Sequence, residues 1–192
     1  MKTKQLIPTG AEILESQGVP SAERIVILGN AGAGKSTLSK ELGSKLDIRP
    51  THLDQLYWQS GNTHLTDEEF TERHQQALGA SRWIFDGNYL HTLSERVASA
   101  DTVVFLDLPL RICVPRIIKR RMMYRPASPL RPQDGSADRL TPTLLKYVFQ
   151  FNRTRRPTIV EKLKALEAQG AKKVYWLRTL DDVEVFRKTL RL

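Results

Sequence analysis

Short apolar runs and longer segments with helical spacing alternate along the chain. A short, continuous apolar run is typical of a strand that is buried on both faces of a parallel sheet. The clearest run covers residues 24–28, which read Arg-Ile-Val-Ile-Leu. Four further short runs predict strands at 51–53, 83–85, 102–106 and 173–177.

Helical patterns lie between these runs. Lys35–Leu46 places Leu38, Leu42 and Leu46 on one face of a helix. Further patterns cover 67–80, 90–98, 110–123, 141–151, 157–168 and 181–190. The sequences Thr66-x-x-Glu69 and Thr179-x-x-Asp182 are typical of helix starts. Strands that alternate with helices predict an α/β fold of three layers, with a doubly wound parallel sheet of five strands.

Two segments fall outside this alternation. Residues 1–23 are polar and punctuated by Pro and Gly, so we interpret them as an N-terminal extension that precedes a single domain at 24–192. Residues 125–139 contain three prolines and a glycine, which is too broken a pattern for a core element. We expect this second segment to form a short lid.

Composition narrows the class of protein. The chain of 192 residues has one cysteine, Cys113, and this excludes an internal disulfide framework. No apolar run approaches the roughly 20 residues that cross a bilayer, and residues 1–8 lack the apolar core of a secretory signal. Four histidines and one cysteine offer no zinc-binding spacing. We therefore expect a cytoplasmic protein, either a monomer or a homodimer.

The net charge of +9 is concentrated in one segment. Between Arg111 and Arg156 the chain has twelve Lys or Arg residues and two acids, whereas the remainder carries 18 basic and 19 acidic residues. Such a local excess indicates an anionic ligand in this region rather than a generally basic protein.

Residues 29–37 read Gly-Asn-Ala-Gly-Ala-Gly-Lys-Ser-Thr and fit the P-loop pattern G-x-x-x-x-G-K-[ST]. In such a loop the backbone N–H groups surround phosphate oxygens, and the following helix adds its N-terminal dipole. We expect Lys35 to reach the β- and γ-phosphates and the Ser36 hydroxyl to bind Mg²⁺. The predicted nucleotide-binding residues are Gly29, Asn30, Ala31, Gly32, Ala33, Gly34, Lys35, Ser36 and Thr37.

Three carboxylates follow predicted strands. Asp86 would lie where ligands bind in open α/β sheets, and it could hold Mg²⁺ or simply cap the next turn. Asp54 could accept a proton from an acceptor hydroxyl, help to hold the metal, or cap a helix. Asp107 precedes Leu-Pro and is interpreted as structural. The four histidines, His52, His64, His74 and His91, are interpreted as solvated or structural.

The arginines of the basic segment have a specific use beside a P-loop, because phosphoryl transfer is catalysed largely by positioning and charge neutralisation. Arg116 and Arg120 are four residues apart and share one helix face. Arg153, Arg155 and Arg156 precede Pro157, which disfavours helical geometry at residue 156 and so predicts a helix break there. We expect Arg120, Arg153 and Arg156 to act in catalysis.

The order of these motifs resembles the adenylate-kinase-related family of small P-loop kinases. More narrowly, the chain resembles bacterial proteins described as DNA-topology-modulation or flagellar-regulator proteins. The matching pieces are the P-loop, His-Leu-Asp at 52–54 with Trp58, and Trp-Ile-Phe-Asp-Gly-Asn-Tyr at 83–89. They continue through 100–109 and 116–121 and end at 153–157.

The resemblance implies a sheet in the order 2-3-1-4-5 and a lid after Arg120. It also implies that Arg116 packs on adenine and that Arg120 contacts phosphates. The chain departs from adenylate kinases after the third strand, where it has Asp-Gly-Asn-Tyr-Leu instead of Asp-Gly-Phe-Pro-Arg. The missing arginine argues against AMP as acceptor. We therefore predict that the acceptor contacts Asn88 and Tyr89, together with Asp54 and Trp58, although Trp58 is equally explained by packing.

Three hypotheses follow. The first is a kinase that uses ATP and Mg²⁺ to phosphorylate a small molecule. The second is a nucleotide-switched protein that binds nucleic acid through its basic segment, although the chain has no recognised DNA-reading module. The third is an NTPase that acts on water. A GTPase would be expected to show Asn-Lys-x-Asp, which is absent from the sequence.

Overall fold

The structure is a computed structural model that describes residues 22–58, 63–123, 141–170 and 172–189. It contains a sheet of five parallel strands in the order β2-β3-β1-β4-β5, which confirms the predicted topology. The strands are β1 Arg24–Gly29, β2 Pro50–His52, β3 Trp83–Asp86, β4 Thr102–Leu106 and β5 Lys173–Leu177.

Eight helices lie within the described residues. They are α1 Lys35–Leu46, α2 Leu53–Tyr57, α3 Asp67–Leu78, α4 Leu90–Ser99, α5 Leu110–Met123, α6 Pro142–Thr154, α7 Arg156–Gln169 and α8 Leu180–Thr189. Thr66 forms the predicted capping box with Glu69 at the start of α3. Thr179 and Asp182 exchange equivalent hydrogen bonds at the start of α8. Only α2 has no counterpart among the sequence-predicted helices.

The sheet separates two apolar cores, as expected of three layers. Ile25 and Ile27 of β1 point to the core formed with α1, α5 and α8. Val26 and Leu28 point to the core formed with the remaining helices. All four side chains are essentially inaccessible to solvent, which explains why β1 is a continuous apolar run.

Parallel strands bring their carboxyl ends to one edge of the sheet, and the candidate site lies there. The P-loop follows β1, residues 53–58 follow β2, residues 87–89 follow β3, and Asp107 follows β4. His52 pairs with Asp86, and Gly29 pairs with Leu106, so these segments meet at neighbouring positions.

Several predictions concern residues that the structure does not describe. Most of the N-terminal extension and the whole of the predicted lid at 125–139 lie outside the described residues. Among the helices that are described, none combines the length and apolarity needed to cross a membrane.

Candidate active site

The P-loop has the backbone geometry that its glycines permit. Gly32 has a φ of 78°, and an added Cβ would lie 2.4 Å from the carbonyl oxygen of Cys113 on α5. Gly34 has a φ of 102° and precedes the first turn of α1. A glycine has no side chain with which to cap a helix, so the first N–H groups of α1 stay available to an anion.

Two cations lie against the loop. The Lys35 ammonium donates a hydrogen bond to the carbonyl oxygen of Asn30 at 3.1 Å. Arg116 projects from α5 and donates to the carbonyl oxygen of Ala33 at 3.3 Å. Arg120 follows one turn later on the same helix face and is half-buried. The structure therefore brings Lys35 and Arg116 to the loop, and the phosphate contact of Arg120 stays a prediction.

Asp86 is almost completely buried beneath the start of α1. Its Oδ1 lies 3.4 Å from the Ser36 hydroxyl oxygen. Its Oδ2 accepts a hydrogen bond from the Ser39 hydroxyl at 2.5 Å and lies 2.5 Å from His52 Nδ1. The predicted metal pair, Ser36 and Asp86, is thus in contact, with one carboxylate oxygen held by two partners and the other facing Ser36.

His52 is a site residue that sequence reasoning missed. His52 belongs to the His-Leu-Asp motif of the resemblance, but the histidines of this chain have no metal-binding spacing, and the motif alone indicated no role for His52. The role of His52 is visible only in the tertiary structure, because His52 ends β2 opposite Asp86 in the neighbouring strand β3. The expected strand order places these two strands side by side, but only the register between them aligns His52 with Asp86.

Asp54 and Tyr89 form a second polar pair at the same edge. The Tyr89 hydroxyl donates to Asp54 Oδ1 at 3.0 Å, and Asp54 is exposed. Burial of the phenol and the neighbouring Asp54 carboxylate raise the pKa of Tyr89 well above its ordinary value. Tyr89 also has a φ of 27°, in the left-handed region that residues other than glycine rarely adopt. The Asp54 carboxylate therefore faces solvent, and its hydrogen bond to Tyr89 fixes its orientation.

Aromatic side chains surround this pair. The Tyr89 ring stacks on Phe70 at 4.8 Å between centroids and approaches Tyr57 at 5.4 Å. Trp58 meets the edge of Tyr57 and remains 50% exposed. Half of the Trp58 surface is thus open to a ligand, and its role in acceptor binding stays a prediction.

Asn88 connects the turn after β3 to the end of β1 and to α6. Its amide oxygen accepts from the Gly29 N–H at 3.1 Å, and its amide nitrogen donates to the Gly29 carbonyl at 2.8 Å. The same nitrogen donates to the Tyr147 hydroxyl at 2.6 Å. With 5% of its surface exposed and its amide engaged on both sides, Asn88 holds the end of β1, and its contact with an acceptor stays a prediction.

Arg96 is a second residue that sequence reasoning missed. Its side chain is fully buried and donates to the carbonyl oxygens of Gly87, Asn88 and Tyr89 at 3.0, 2.6 and 3.2 Å. Burial lowers the pKa of this guanidinium. The signal was present in α4, where an arginine shares the apolar face with Leu93 one turn earlier. Arg96 therefore fixes the turn that carries Tyr89.

The predicted helix break occurs at Arg155, one residue earlier than expected, with φ −112° and ψ −42°. Arg156 binds both oxygens of Asp107 at 2.7 Å, and these hydrogen bonds raise its pKa. Trp176 also donates to Asp107, at 2.9 Å. The Arg156 guanidinium therefore has a counterion and ties α7 to the end of β4, and its catalytic role stays a prediction. Arg153 is exposed, and its catalytic role stays a prediction.

The chain is similar to two solved kinase structures at low sequence identity. A sugar kinase from Janibacter sp. HTCC2649 is 17% identical, with 88% of this chain and 93% of that chain covered at a TM-score of 0.45. A gluconokinase from Sinorhizobium meliloti 1021 is 13% identical, with coverages of 88% and 90% and a TM-score of 0.49. Likeness at this level carries no functional argument. No family model and no curated protein matches the chain, so the narrower resemblance to DNA-topology-modulation proteins gains no support.

Proposed function

We propose that this protein is a kinase that transfers the γ-phosphoryl group of ATP to a hydroxyl group of a small molecule. One observation carries the proposal: a P-loop whose Ser36 meets a buried aspartate lies at the same sheet edge as the solvent-facing Asp54–Tyr89 pair. The P-loop can bind the phosphates of a nucleotide, and the Asp54 carboxylate can accept the proton that an acceptor hydroxyl must lose.

The residues at the P-loop also fit Mg²⁺. The Ser36 hydroxyl and Asp86 Oδ1 are hard oxygen donors in contact with each other, and the remaining ligands of such an ion are normally phosphate oxygens and water. When bound, Mg²⁺ would neutralise charge on the β- and γ-phosphates. Ser36 and Asp86 would hold it.

Each remaining residue has a defined task in the proposed reaction. The P-loop N–H groups and Lys35 bind the phosphates, and Arg116 lies beside them from α5. Asp54 accepts the proton of the acceptor hydroxyl while the oxygen of that hydroxyl attacks the γ-phosphorus. A new O–P bond forms, the bond to the β-phosphate oxygen breaks, and ADP leaves. Tyr89 keeps Asp54 oriented through the 3.0 Å hydrogen bond.

A screen with γ-labelled ATP and a panel of nucleosides, polyols, hydroxy acids and sugar phosphates tests the proposal. We expect at least one acceptor to become labelled, and we expect transfer to be lost in Lys35→Ala and Asp86→Asn. ATP hydrolysis that no acceptor accelerates would contradict the kinase and favour the NTPase. GTP in a parallel series would reveal the nucleotide preference.

A further inference from the structure

A groove of about 230 Å³ lies along α6 and the break that follows it. The side chains that line it include two cationic groups, two hydroxyl groups, one amide and one phenol, and the stems of these side chains supply much of its surface. The lining residues are Thr143, Lys146, Tyr147, Gln150, Thr154 and Arg155. No carboxylate belongs to this set, so the groove favours a ligand of negative charge.

Arg155 and its neighbour Arg156 differ in their counterions. Arg156 binds Asp107 through two hydrogen bonds, whereas the Arg155 guanidinium lies over the Tyr147 ring at 4.9 Å from its centroid. Within the described ranges, no carboxylate forms a salt bridge with Arg155 or Lys146. The sequences of α5 and α6 contain no Asp or Glu at all. The positive charge of the groove is therefore not neutralised by α6, the helix that supplies five of its six lining residues.

The groove adjoins the candidate active site through Tyr147. The Tyr147 hydroxyl accepts a hydrogen bond from Asn88, whose amide also binds both backbone groups of Gly29. One residue further along α6, the Val148 carbonyl accepts from the Asn30 side chain at 3.0 Å. The wall of the groove thus contacts both the start of the P-loop and the turn that carries Tyr89.

We propose that this groove binds an anionic group of the phosphoryl acceptor through Arg155 and Lys146. The inference rests on the proposed kinase function and assigns its substrate class: a hydroxyl compound that already carries a carboxylate or a phosphate. A guanidinium that lies over an aromatic ring can still form two parallel hydrogen bonds with a carboxylate or a phosphate. Thr143 and Gln150 supply further donors beside these cations, whereas the Thr154 hydroxyl already donates to the Gln150 carbonyl at 3.0 Å.

Binding to the full-length protein saturated with ADP and Mg²⁺ tests the site independently of catalysis. Three matched probes are titrated by calorimetry: glycerol, D-glycerate and glycerol 3-phosphate. We expect one or both anions to bind and glycerol not to bind. Arg155→Gln should weaken anion binding by about tenfold or more, because it removes a charge-assisted hydrogen bond. The two anions distinguish a carboxylate site from a phosphate site.

Matched controls separate the groove from a general charge effect. Arg178→Gln also removes an arginine that lies over an aromatic ring, 4.5 Å from the centroid of Trp176, and should leave anion binding unchanged. Lys146→Gln should weaken binding by severalfold, whereas the exposed Lys164→Gln should not.

Three results would overturn the anion site: binding of neither anion, equal binding of glycerol, or unchanged binding in Arg155→Gln. A drop in kcat of Arg155→Gln with intact anion binding would place this arginine on the transferred phosphoryl group instead. Preferential phosphorylation of neutral acceptors would also contradict the site while leaving the kinase function intact. Failure of the kinase function itself is recognised separately, by the absence of any labelled acceptor.

Discussion

At the scale of single residues, Gly32 is constrained both by its backbone conformation and by the space around it, and the two constraints can be tested separately. Its φ of 78° disfavours any residue with a Cβ, and an added Cβ would also overlap the Cys113 carbonyl. Gly170 has a similar φ of 63° but has no atom within 4 Å of an added Cβ. The two glycines thus form a matched pair for strain with and without a steric clash.

We expect Gly170→Ala to lower the free energy of unfolding by about 1–2 kcal/mol, which is the cost of the left-handed conformation alone. Gly32→Ala should cost more and should also abolish ADP binding, because α5 or the loop must move. Urea unfolding and ADP titration measure both effects. Equal losses of stability in the two variants, or normal ADP binding by Gly32→Ala, would contradict this expectation. Either result would show that the loop accommodates a Cβ at residue 32 without a change that affects the nucleotide site.

His52 allows a test of how Asp86 is held. His52→Ala removes one of the two partners of Oδ2, so the carboxylate can rotate away from Ser36. We expect the Mg²⁺ concentration for half-maximal ADP binding to rise by about tenfold or more, in keeping with the loss of residues that orient metal ligands. His52→Asn retains a donor and should recover part of this loss. ADP binding without Mg²⁺ should stay unchanged, and the exposed His91→Ala serves as the control.

At the scale of elements, Asn88 connects three parts of the chain: the end of β1, the turn after β3, and α6. Asn88→Ala removes both hydrogen bonds to Gly29 and the bond to Tyr147. We expect a loss of roughly 2–4 kcal/mol in the free energy of unfolding, because these bonds are buried. Tyr147→Phe removes one of the same bonds and should cost about 1 kcal/mol.

The two substitutions share a hydrogen bond, so their effects should not add. We expect the double variant to be about 1 kcal/mol more stable than the sum of the single losses predicts. Tyr175→Phe removes a buried hydroxyl in the other core and is the matched control. Additive effects of Asn88→Ala and Tyr147→Phe, measured by urea unfolding, would mean that α6 and the P-loop are not coupled through this bond.

The elements were predictable from the sequence where neighbouring residues along the chain determine them. The apolar run of β1 and the capping box at Thr66 are local signals, and both were correct. The short helix α2 was missed because five residues are too few to show a period. The contacts of Asn88, His52 and Arg156 could not be predicted from local sequence for a different reason: their partners lie 34 to 59 residues away in the chain.

At the scale of the whole molecule, one side of the sheet contains a buried histidine. His74 of α3 is inaccessible to solvent, and within the described part of the chain neither ring nitrogen has a hydrogen-bond partner. Phe70 and Phe85 pack against the ring, at 6.2 and 5.6 Å between centroids. The Glu95 carboxylate lies 3.7 Å from Nδ1, beyond hydrogen-bonding distance. Burial, and then the nearby charges of Arg96 and His91, lower the pKa of His74 to about 4.

This histidine should make the stability of the fold depend on pH. In the unfolded chain the imidazole titrates near its ordinary pKa of about 6.5, so below that value the unfolded state binds a proton that the folded state excludes. Stability is therefore greatest above pH 6.5 and falls as the pH drops from 6.5 to about 4. A pKa difference of this size corresponds to about 3 kcal/mol over the full window.

Urea unfolding of the full chain at pH 7.0, 5.5 and 4.5 measures the slope, and His74→Phe should reduce it, because phenylalanine fills the same apolar site without titrating. The exposed His64→Phe is the control and should keep the slope of the parent chain. An unchanged slope in His74→Phe would show that the acid sensitivity of the fold does not arise at this histidine.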